Sequence, residues 1–386
     1  MDASHNTALL PAGLHDALPP DAERETAVAG GLMARFAAAG YQRVKPPLIE
    51  FEDSLLTGSG IAMAPHMFRL MDPVSQRMMA LRADMTLQVA RIATARLGGM
   101  PRPLRLCYDG EVLRIKGSQL RPERQFRQVG VELIGSAAAA ADAEVALLAA
   151  DAPLSVGIGR VSVDLNLSRL VPLVAAEADL SVEPGSDLRT ALDHKAESDV
   201  RAAAGAAGET FVGLLRAAGA ADSALDALAG IDLPAPAVAE LDHLRDVSRL
   251  ILADAPEALS LTIDPVENRG FEYHTGVGFT LFAPRVRGEL GRGGRYLADE
   301  PSGDGPGEPA TGFTLFMDSV MRGVPPDGET RRLYLPLGTR RDEAERLRSE
   351  GWVTVAGLAA DDDPAAEGRR LNCTHYLSGG DVVALD

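Results

Sequence analysis

The spacing of apolar residues near the N-terminus predicts an amphipathic helix in the segment PDAERETAVAGGLMARFAAAG. Val28, Leu32 and Phe36 recur at intervals of four residues, so a helix would place them on one face. The segment starts at a pair of prolines and ends at Gly40, and helices commonly begin and end at such residues. The chain therefore opens with a helix that has one side to bury.

Alternation of apolar and polar residues predicts a strand with two unlike faces in the segment RQFRQVGVELIG. Val129, Val131 and Leu133 would face packed helices, whereas Gln128 and Glu132 would lie on the opposite face. The glycine between the two polar residues would leave room for something to lie on the strand. From the pattern alone, the simpler interpretation is a half-exposed strand whose polar face meets water. A polar face that lines a ligand pocket is the alternative.

Further strand-like runs predict a mainly antiparallel sheet with helices on one side. They lie at 43–49, 77–81 and 104–115. From 137 to 256 the chain is rich in alanine and is expected to be helical. Strand character then returns in the segments LSLTIDP and GVGFTLFAP.

These patterns predict an α+β fold of two domains. The first would be a core at 1–330 that carries an alanine-rich helical insertion at about 175–256. The second, at 331–386, alternates strand-like and helix-like runs, as a small α/β unit would.

Composition and charge narrow the function classes. With 386 residues, 46% of them hydrophobic, the chain can bury at least one large core. A formal net charge of −17 disfavours a broad surface for nucleic acid but leaves room for a local basic pocket. No apolar run is long enough for a membrane span and no secretion signal opens the chain, so we expect a cytoplasmic protein. Two cysteines, far apart, suggest neither a disulfide framework nor a zinc site.

One short stretch collects positive charge in this acidic chain. Arg114, Lys116, Arg121, Arg124 and Arg127 lie between two apolar runs. A guanidinium offers a planar, permanently charged fork to phosphate or carboxylate oxygens. The stretch is therefore a candidate binding site for a small anion.

Motifs of several other chemistries do not occur in the sequence. Neither HExxH nor GxSxG is present, and the segment GRGGRY lacks the Lys-Ser/Thr ending of a phosphate-binding P-loop. We therefore expect no metal and no nucleotide cofactor.

Four segments in this order, LRADMT, EVLRIKGSQLRPERQFRQVGVELIG, NRGFEYHTG and GRGGRY, resemble the catalytic core of the histidine-tRNA ligases. The resemblance runs from about Leu9 to Met321 and implies the class II aminoacyl-tRNA synthetase fold, an antiparallel sheet flanked by helices. The second segment is similar almost throughout to a paralogous family that kept this fold without the ligase activity. That family is the regulatory subunit of ATP phosphoribosyltransferase.

The resemblance implies that the nucleotide half of the synthetase site is disabled. Arg114 stands where the synthetases hold the ATP α-phosphate. Lys116 stands where they have a glutamate near the adenine, so the charge is reversed, and Ser319 replaces an arginine that lies against the nucleotide. Loss of a cation beside a developing pyrophosphate would remove transition-state stabilisation. We expect no adenylation and no catalytic residue.

The amino-acid half of the site is better preserved. By resemblance, Asp84 and Gln128 would take an α-amino group, Glu132 an imidazole and Arg269 a carboxylate, while Tyr296 would close the pocket. One departure is His274, which stands where the family has a second tyrosine. The complete predicted pocket comprises Asp84, Thr86, Arg114, Gln128, Glu132, Arg269, Tyr273, His274 and Tyr296.

Each of these residues also has a structural interpretation. Asp84 could serve only as the cap of the helix that follows it. Arg269 could be an ion-pair partner, and Tyr296 a core aromatic with a hydrated hydroxyl group. On one shared face, however, the set favours a ligand pocket.

The resemblance implies a non-catalytic regulatory subunit in the first step of histidine biosynthesis. It would activate a short-form ATP phosphoribosyltransferase catalytic subunit and convey feedback inhibition by histidine. The segment GYQRVKPPLIEFEDSLL resembles the motif that forms a homodimer interface in this fold, and no nucleic acid or membrane partner is expected.

Two alternatives stay open. One is a divergent histidine-tRNA ligase, and the other is a synthetase-like binding protein with a different partner. The C-terminal unit from Arg331 argues against the ligase, because it is shorter than a typical domain of about 100 residues and rich in acidic side chains.

Overall fold

The computed structural model describes residues 9–56, 64–117, 121–267, 274–298, 307–326, 328 and 330–385. The chain divides into two compact units, the first ending at Pro325 and the second beginning at Pro326. Within the described ranges, no helix is both long enough and apolar enough to cross a bilayer.

The first unit alternates short strands with helices. Its strands are β1 (Gln42–Arg43), β2 (Ile49–Phe51), β3 (Arg69–Met71), β4 (Met78–Leu81), β5 (Leu104–Leu113), β6 (Gln125–Ile134), β7 (Val161–Leu167), β8 (Gly219–Ala220), β9 (Leu259–Ile263), β10 (Val277–Phe282), β11 (Gly291–Ala298) and β12 (Glu308–Phe316). Its helices are α1 (Asp21–Ala38), α2 (Glu52–Leu55), α3 (Thr86–Ala95), α4 (Ala139–Ser155), α5 (Leu170–Glu177), α6 (Asp187–Asp193), α7 (Glu197–Ala204), α8 (Gly208–Arg216), α9 (Ala221–Ala229), α10 (Ala235–Asp254) and α11 (Met317–Gly323).

A nine-stranded sheet in the order β1-β5-β6-β12-β11-β10-β7-β9-β8 forms the centre of this unit. The strands from β5 to β7 in that order are antiparallel, and only the β1/β5 and β7/β9 pairs of this sheet are parallel among the described strands. A separate small sheet has the order β2-β4-β3. The prediction of a mainly antiparallel sheet flanked by helices is confirmed.

The predicted N-terminal helix is α1, and its apolar face is buried as expected. Val28, Leu32 and Phe36 belong to the largest core cluster. The ring of Phe36 meets that of Phe313 on β12 edge to face, with 5.6 Å between the centroids. Past the end of the helix, Gly40 has φ +88°, a conformation that glycine adopts without strain.

Two expectations about local structure are wrong. The run 43–49 is not one strand, because Pro46 and Pro47 lack the N–H groups that a ladder needs and separate β1 from β2. The alanine-rich region 137–256 is not helical throughout, because β7 lies inside it. The segment VSVDLNL of β7 carries its own alternation, which the alanine content of its neighbours masked.

Strand β6 is covered on both faces. Its predicted apolar set packs with residues of α1 and α4. On the other face, Phe126 and Ile134 join a second core with residues of α3. Gln128 and Glu132 lie on that second face and are fully buried. The simpler interpretation of the alternation, a polar face in contact with water, is therefore wrong.

A buried ion cluster joins α4, α10 and β11. Oδ2 of Asp142 accepts hydrogen bonds from Nε and Nη2 of Arg295 at 3.0 and 2.8 Å, and lies 2.8 Å from Nε2 of His243. Arg295 also donates to two backbone carbonyls at the start of α4. A buried ion pair of this kind is costly to break, because either partner alone is a stranded charge. The cluster thus anchors β11 against the helices.

The second unit is a small α/β module, as predicted. Its elements are β13 (Arg332–Leu335), α12 (Arg341–Ser349), β14 (Val353–Ala356), α13 (Pro364–Arg370), β15 (His375–Ser378) and β16 (Asp381–Ala384). The strands form a sheet in the order β14-β13-β15-β16, with parallel pairing among the first three.

Candidate functional site

Most of the predicted pocket residues come together at the centre of the large sheet. Gln128 and Glu132 project from β6, Tyr296 lies on β11, and Asp84 and Thr86 lie at the start of α3. The predicted Arg269 and Tyr273 lie outside the described residues. The geometry of the site therefore concerns the polar face of β6 and the elements that cover it.

Glu132 is the centre of this group and has no exposed surface. Its Oε2 accepts a hydrogen bond from the hydroxyl group of Tyr296 at 2.8 Å, and its Oε1 accepts one from the hydroxyl group of Tyr108 at 3.2 Å. Tyr108 lies on β5, so three strands supply the cluster: the neighbours β5 and β6, and β11 on the far side of β12. Sequence analysis missed Tyr108, although it falls on the same face of a predicted strand as Leu104 and Leu106, and those residues join its core cluster.

Two glycines make space for the cluster. Gly312 on β12 lies opposite Glu132 in the strand register, and a Cβ there would lie 1.8 Å from Oε2 of Glu132. Gly130 lies opposite Tyr108, and a Cβ there would lie 2.5 Å from the tyrosine hydroxyl. The room that Gly130 was predicted to leave is therefore filled by a neighbouring side chain.

Burial raises the pKa of Glu132 to about 8. Hydrogen bonds donated by Tyr296, Thr86 and Tyr108 act in the opposite direction, because they stabilise the carboxylate, and the nearby charge of Asp84 raises the pKa further. At neutral pH the side chain of Glu132 is consequently mostly protonated. A carboxyl group held in this state responds to any ligand that brings a positive charge or takes its proton.

Asp84 and Gln128 form a second closed network beside Glu132. Nε2 of Gln128 donates to Oδ2 of Asp84 at 2.9 Å, and Oε1 of Gln128 accepts from the backbone N–H of Met85 at 3.1 Å. Oδ1 of Asp84 accepts from the backbone N–H of Thr86 at 2.8 Å. Only the last contact is local to the start of α3, whose N-cap residue is Met85 and has no side-chain cap bond, so Asp84 does not act only as a helix cap. A ligand amino group would have to share or displace them.

The space next to Glu132 is small and enclosed. An empty volume of about 220 Å³ is lined by Thr86, Glu132, His274, Arg292 and Tyr296, together with glycines of β11 and β12. Burial, with a smaller contribution from Arg292, lowers the pKa of His274 to about 4, so this imidazole is neutral. As it stands, this space leaves little room for an organic ligand, so a bound ligand would require the side chains around it to rearrange.

Arg114 lies close to this space, in a cluster of cations around an aromatic ring. Phe316, fully buried, has the guanidinium carbons of Arg121, Arg292 and Arg114 at 3.7, 5.7 and 5.8 Å from its ring centroid. Phe126 contacts the same ring edge to face at 6.0 Å. Burial lowers the pKa of Arg114 to about 10, which still leaves it charged at neutral pH. Two of the five cations of the predicted anion site, Arg114 and Arg121, thus lie around a phenyl ring, whereas Arg124 lies over Phe68 and Arg127 pairs with Asp109.

Lys116 and Ser319 lie in different surroundings. Lys116 is exposed, whereas Ser319 on α11 is fully buried and its hydroxyl group accepts a hydrogen bond from Nη2 of Arg322 at 2.9 Å. Neither residue presents a cation to the ring of Phe316. Phe316 was not predicted as part of the site, although the sequence shows an aromatic residue directly before the helix that carries Ser319.

Known proteins share both the sequence and the fold. The family described as Histidyl-tRNA synthetase matches residues 13–320. The ATP phosphoribosyltransferase regulatory subunit of Paramagnetospirillum magneticum is 55% identical over 386 residues, with 100% of each chain covered. The protein of the same name from Rhodospirillum centenum is 54% identical, covering 99% of this chain and 97% of that one.

A solved structure extends the likeness to three dimensions. It is described as an ATP phosphoribosyltransferase regulatory subunit/histidyl-tRNA synthetase from Bacillus halodurans. It has a TM-score of 0.79 and 25% sequence identity, and covers 94% of this chain and 96% of its own.

The buried carboxyl group predicts a specific pH dependence of stability. The folded pKa of Glu132, about 8, lies above its ordinary value of 4.5. Between these values the folded chain keeps a proton that the unfolded chain has lost, so the free energy of unfolding falls as pH rises, by up to about 1.4 kcal/mol per unit. Glu132→Gln removes this contribution. Denaturant titrations from about pH 5 to about pH 8 should show a shallower decline for the variant than for the wild type.

Glu144→Gln provides a matched control. Hydrogen bonds from Arg105 lower the pKa of Glu144, so this residue is ionised in both states across the same window. Its substitution should change stability by a constant amount. Parallel pH profiles for the wild type and Glu132→Gln would contradict the assignment of a neutral carboxyl group.

Proposed function

Because this chain belongs to the family of ATP phosphoribosyltransferase regulatory subunits, we propose that it binds and activates a short-form catalytic subunit of that enzyme. Family membership gives the chain a regulatory role in histidine biosynthesis, and the predicted resemblance to this family is confirmed. The observation that carries the finer proposal is the likeness of more than half of all residues, over the full length, to subunits of that name.

The state of the nucleotide half supports a non-catalytic role. Adenylation requires preorganised cations around the transferring phosphates and space for the nucleotide itself. Phe316 fills the space between Arg114 and its neighbouring guanidinium groups. Lys116 and Ser319 supply neither the charge pattern nor the contact that the ligases use. We therefore propose that this half of the site no longer binds ATP productively.

We propose that free histidine is the effector and that it binds beside Glu132. The pocket would comprise Asp84, Thr86, Gln128, Glu132 and Tyr296, with Arg114, Arg269, Tyr273 and His274 around them. An imidazole next to Glu132 can take its proton, and the resulting ion pair is a charge-assisted hydrogen bond. The Asp84–Gln128 pair supplies oxygens for an ammonium group.

The closed networks suggest how such a ligand would act. Tyr296, Tyr108 and Gln128 satisfy the two carboxyl groups in the described chain, so a ligand has to replace some of these hydrogen bonds. A ligand shifts an equilibrium only by its difference in affinity for two states. We propose that histidine favours a rearranged pocket, and that the catalytic subunit responds to the elements that move with it.

We also propose a homodimer and a cytoplasmic location. The residues Leu48, Ile49, Met71 and Met78 near the β2-β4-β3 sheet are exposed, and contiguous apolar surface commonly marks an interface. Both cysteines are buried and free, which suits a reducing compartment. The net charge of −17 opposes a nucleic acid partner.

The regulatory proposal predicts that one purified sample lacks one activity and supports another. We expect no histidine-dependent exchange of pyrophosphate into ATP, because the nucleotide half lacks the space and the cations for adenylation. The same sample should raise phosphoribosyl-ATP formation by a short-form catalytic subunit. Clear exchange activity would favour the divergent ligase, and a catalytic subunit that is indifferent to the chain would contradict activation.

Histidine binding should depend on Glu132. Calorimetry with the complex should show that Glu132→Gln makes the free energy of histidine binding less favourable by about 1.5 to 3 kcal/mol, which is the contribution of a hydrogen bond to a charged group. Glu144→Gln, whose side chain pairs with Arg105 instead, should leave the affinity unchanged. Absence of histidine binding to both the free chain and the complex would refute the sensor role. Binding only to the complex and independent of Glu132 would move the site to the subunit interface.

The homodimer depends on the exposed apolar residues of the small sheet. We expect a dimer by light scattering at micromolar concentration and a monomer for Ile49→Lys, because a charge would be buried in the interface. Leu252→Lys, at a comparably exposed position on α10, should remain dimeric. A monomeric wild type would contradict the proposal.

A further inference from the structure

A groove beside α11 carries an excess of negative charge that the pocket does not use. We call it the acidic groove, and its empty volume is about 1490 Å³. The start of α1, the ends of β5 and β6 and one side of α11 form its walls. Its carboxylates are Asp16, Asp21, Glu25, Glu111, Glu123 and Asp318, and its arginines are Arg24, Arg127 and Arg322.

The hydrogen bonds of the three arginines go to groups other than these carboxylates, although Arg322 also lies within ion-pair distance of Glu123, at 4.0 Å, and of Asp318, at 3.5 Å. Nη2 of Arg24 donates to the carbonyls of Val324 and Pro325 at 2.6 and 2.8 Å. Arg127 pairs with Asp109 through two nitrogens. Nη2 of Arg322 donates to the hydroxyl group of Ser319. The excess of acidic groups in the groove is therefore only partly compensated.

Asp318 is the clearest group without a hydrogen bond, although Arg121 and Arg322 lie close enough to offset part of its charge. Its side chain is 9% exposed, and neither carboxylate oxygen has a hydrogen-bond partner among the described residues. Nη2 of Arg322 lies 3.5 Å from its Oδ2, too far for a good hydrogen bond. Oε2 of Glu123 is likewise buried without a partner. Buried carboxylate oxygens of this kind are costly unless a donor satisfies them.

The electrostatic surroundings strengthen the case for a cationic occupant. Burial and the charges of Glu111 and Asp109 raise the pKa of Glu25, which shows that negative charge is crowded here. The segments outside the described residues contain a single Lys or Arg, Arg269, so they bring little compensating charge. The described residues contain no cluster of ligands suited to a metal ion. An organic cation with N–H donors fits this groove better.

We propose that the acidic groove docks a basic side chain, arginine or lysine, of the catalytic subunit, with Asp318 and Glu123 as its acceptors. This inference rests on the proposed function, because it assumes that the chain binds that subunit. The position of the groove favours a regulatory partner over a free small cation. Strand β12, which carries Gly312 against Glu132, continues directly into α11, which carries Asp318. A partner held at α11 thus contacts the element that borders the pocket.

The test is the affinity of the catalytic subunit for full-length variants of this chain, measured at low and moderate salt. The double variant Asp318→Asn, Glu123→Gln should weaken the complex about tenfold or more, because the basic side chain of the partner would lose its charged acceptors. The affinity should also depend less on salt, because fewer charges attract each other across the interface. The control Asp222→Asn, Asp226→Asn removes the same charge from exposed positions on α9. It should leave the affinity unchanged. Equal affinities for the wild type and the groove variant would overturn the inference.

Two further measurements keep the outcomes distinct. Thermal unfolding should show that the groove variant folds about as stably as the wild type, since it removes buried carboxylate oxygens without hydrogen bonds and loses only long ion pairs to Arg322. Failure of the wild type to bind any catalytic subunit would refute the proposed function itself. Spermidine titrated into the free chain tests a small cation. Spermidine binding that requires Asp318, together with unchanged subunit affinity of the groove variant, would overturn subunit docking.

Discussion

Burial of one carboxyl group in the middle of a sheet is the constraint on which the rest of the site depends. Glu132 lies on the second face of β6, where it has no exposed surface beside the core that α3 covers. Such a group stays neutral or is fully hydrogen-bonded. Tyr296 and Tyr108 are therefore placed as donors, and Gly312 and Gly130 leave the room that the carboxyl group and the Tyr108 hydroxyl need. The buried ion pair between Arg295 and Asp142 anchors the strand that carries Tyr296.

The synthetase-like site has a proposed amino-acid half and a proposed nucleotide half, and the two differ in the side chains that occupy them. The amino-acid half keeps its polar groups, although in this state they satisfy one another through contacts such as Gln128 to Asp84. In the proposed nucleotide half, the ring of Phe316 lies beside Arg114, with 5.8 Å between its centroid and the guanidinium carbon. The narrow space next to this buried carboxyl group is the physical basis of the proposed sensor role.

Much of this arrangement could be predicted from the sequence, and the exceptions have physical reasons. Local periodicity was sufficient to predict the helix α1 and the two unlike faces of β6, because each pattern lies within a single element. It could not show that β6 is covered on both faces, because burial depends on distant elements. Tyr108 and Phe316 were missed for the same reason: their roles depend on strand register and on the crowding of three guanidinium groups around one ring. Resemblance supplied the pocket residues, but not the fact that Asp84 and Gln128 already bind each other.

The central proposal is that histidine at Glu132 and the catalytic subunit at its own surface bias one equilibrium of the chain. Linkage then requires each ligand to change the affinity of the other by the same factor. The most direct measurement is the pair of affinities, histidine with and without the catalytic subunit and the subunit with and without histidine. We predict equal factors that differ from one in the wild type and are lost in Glu132→Gln. Wild-type factors of one, or full coupling in Glu132→Gln, would contradict the proposal.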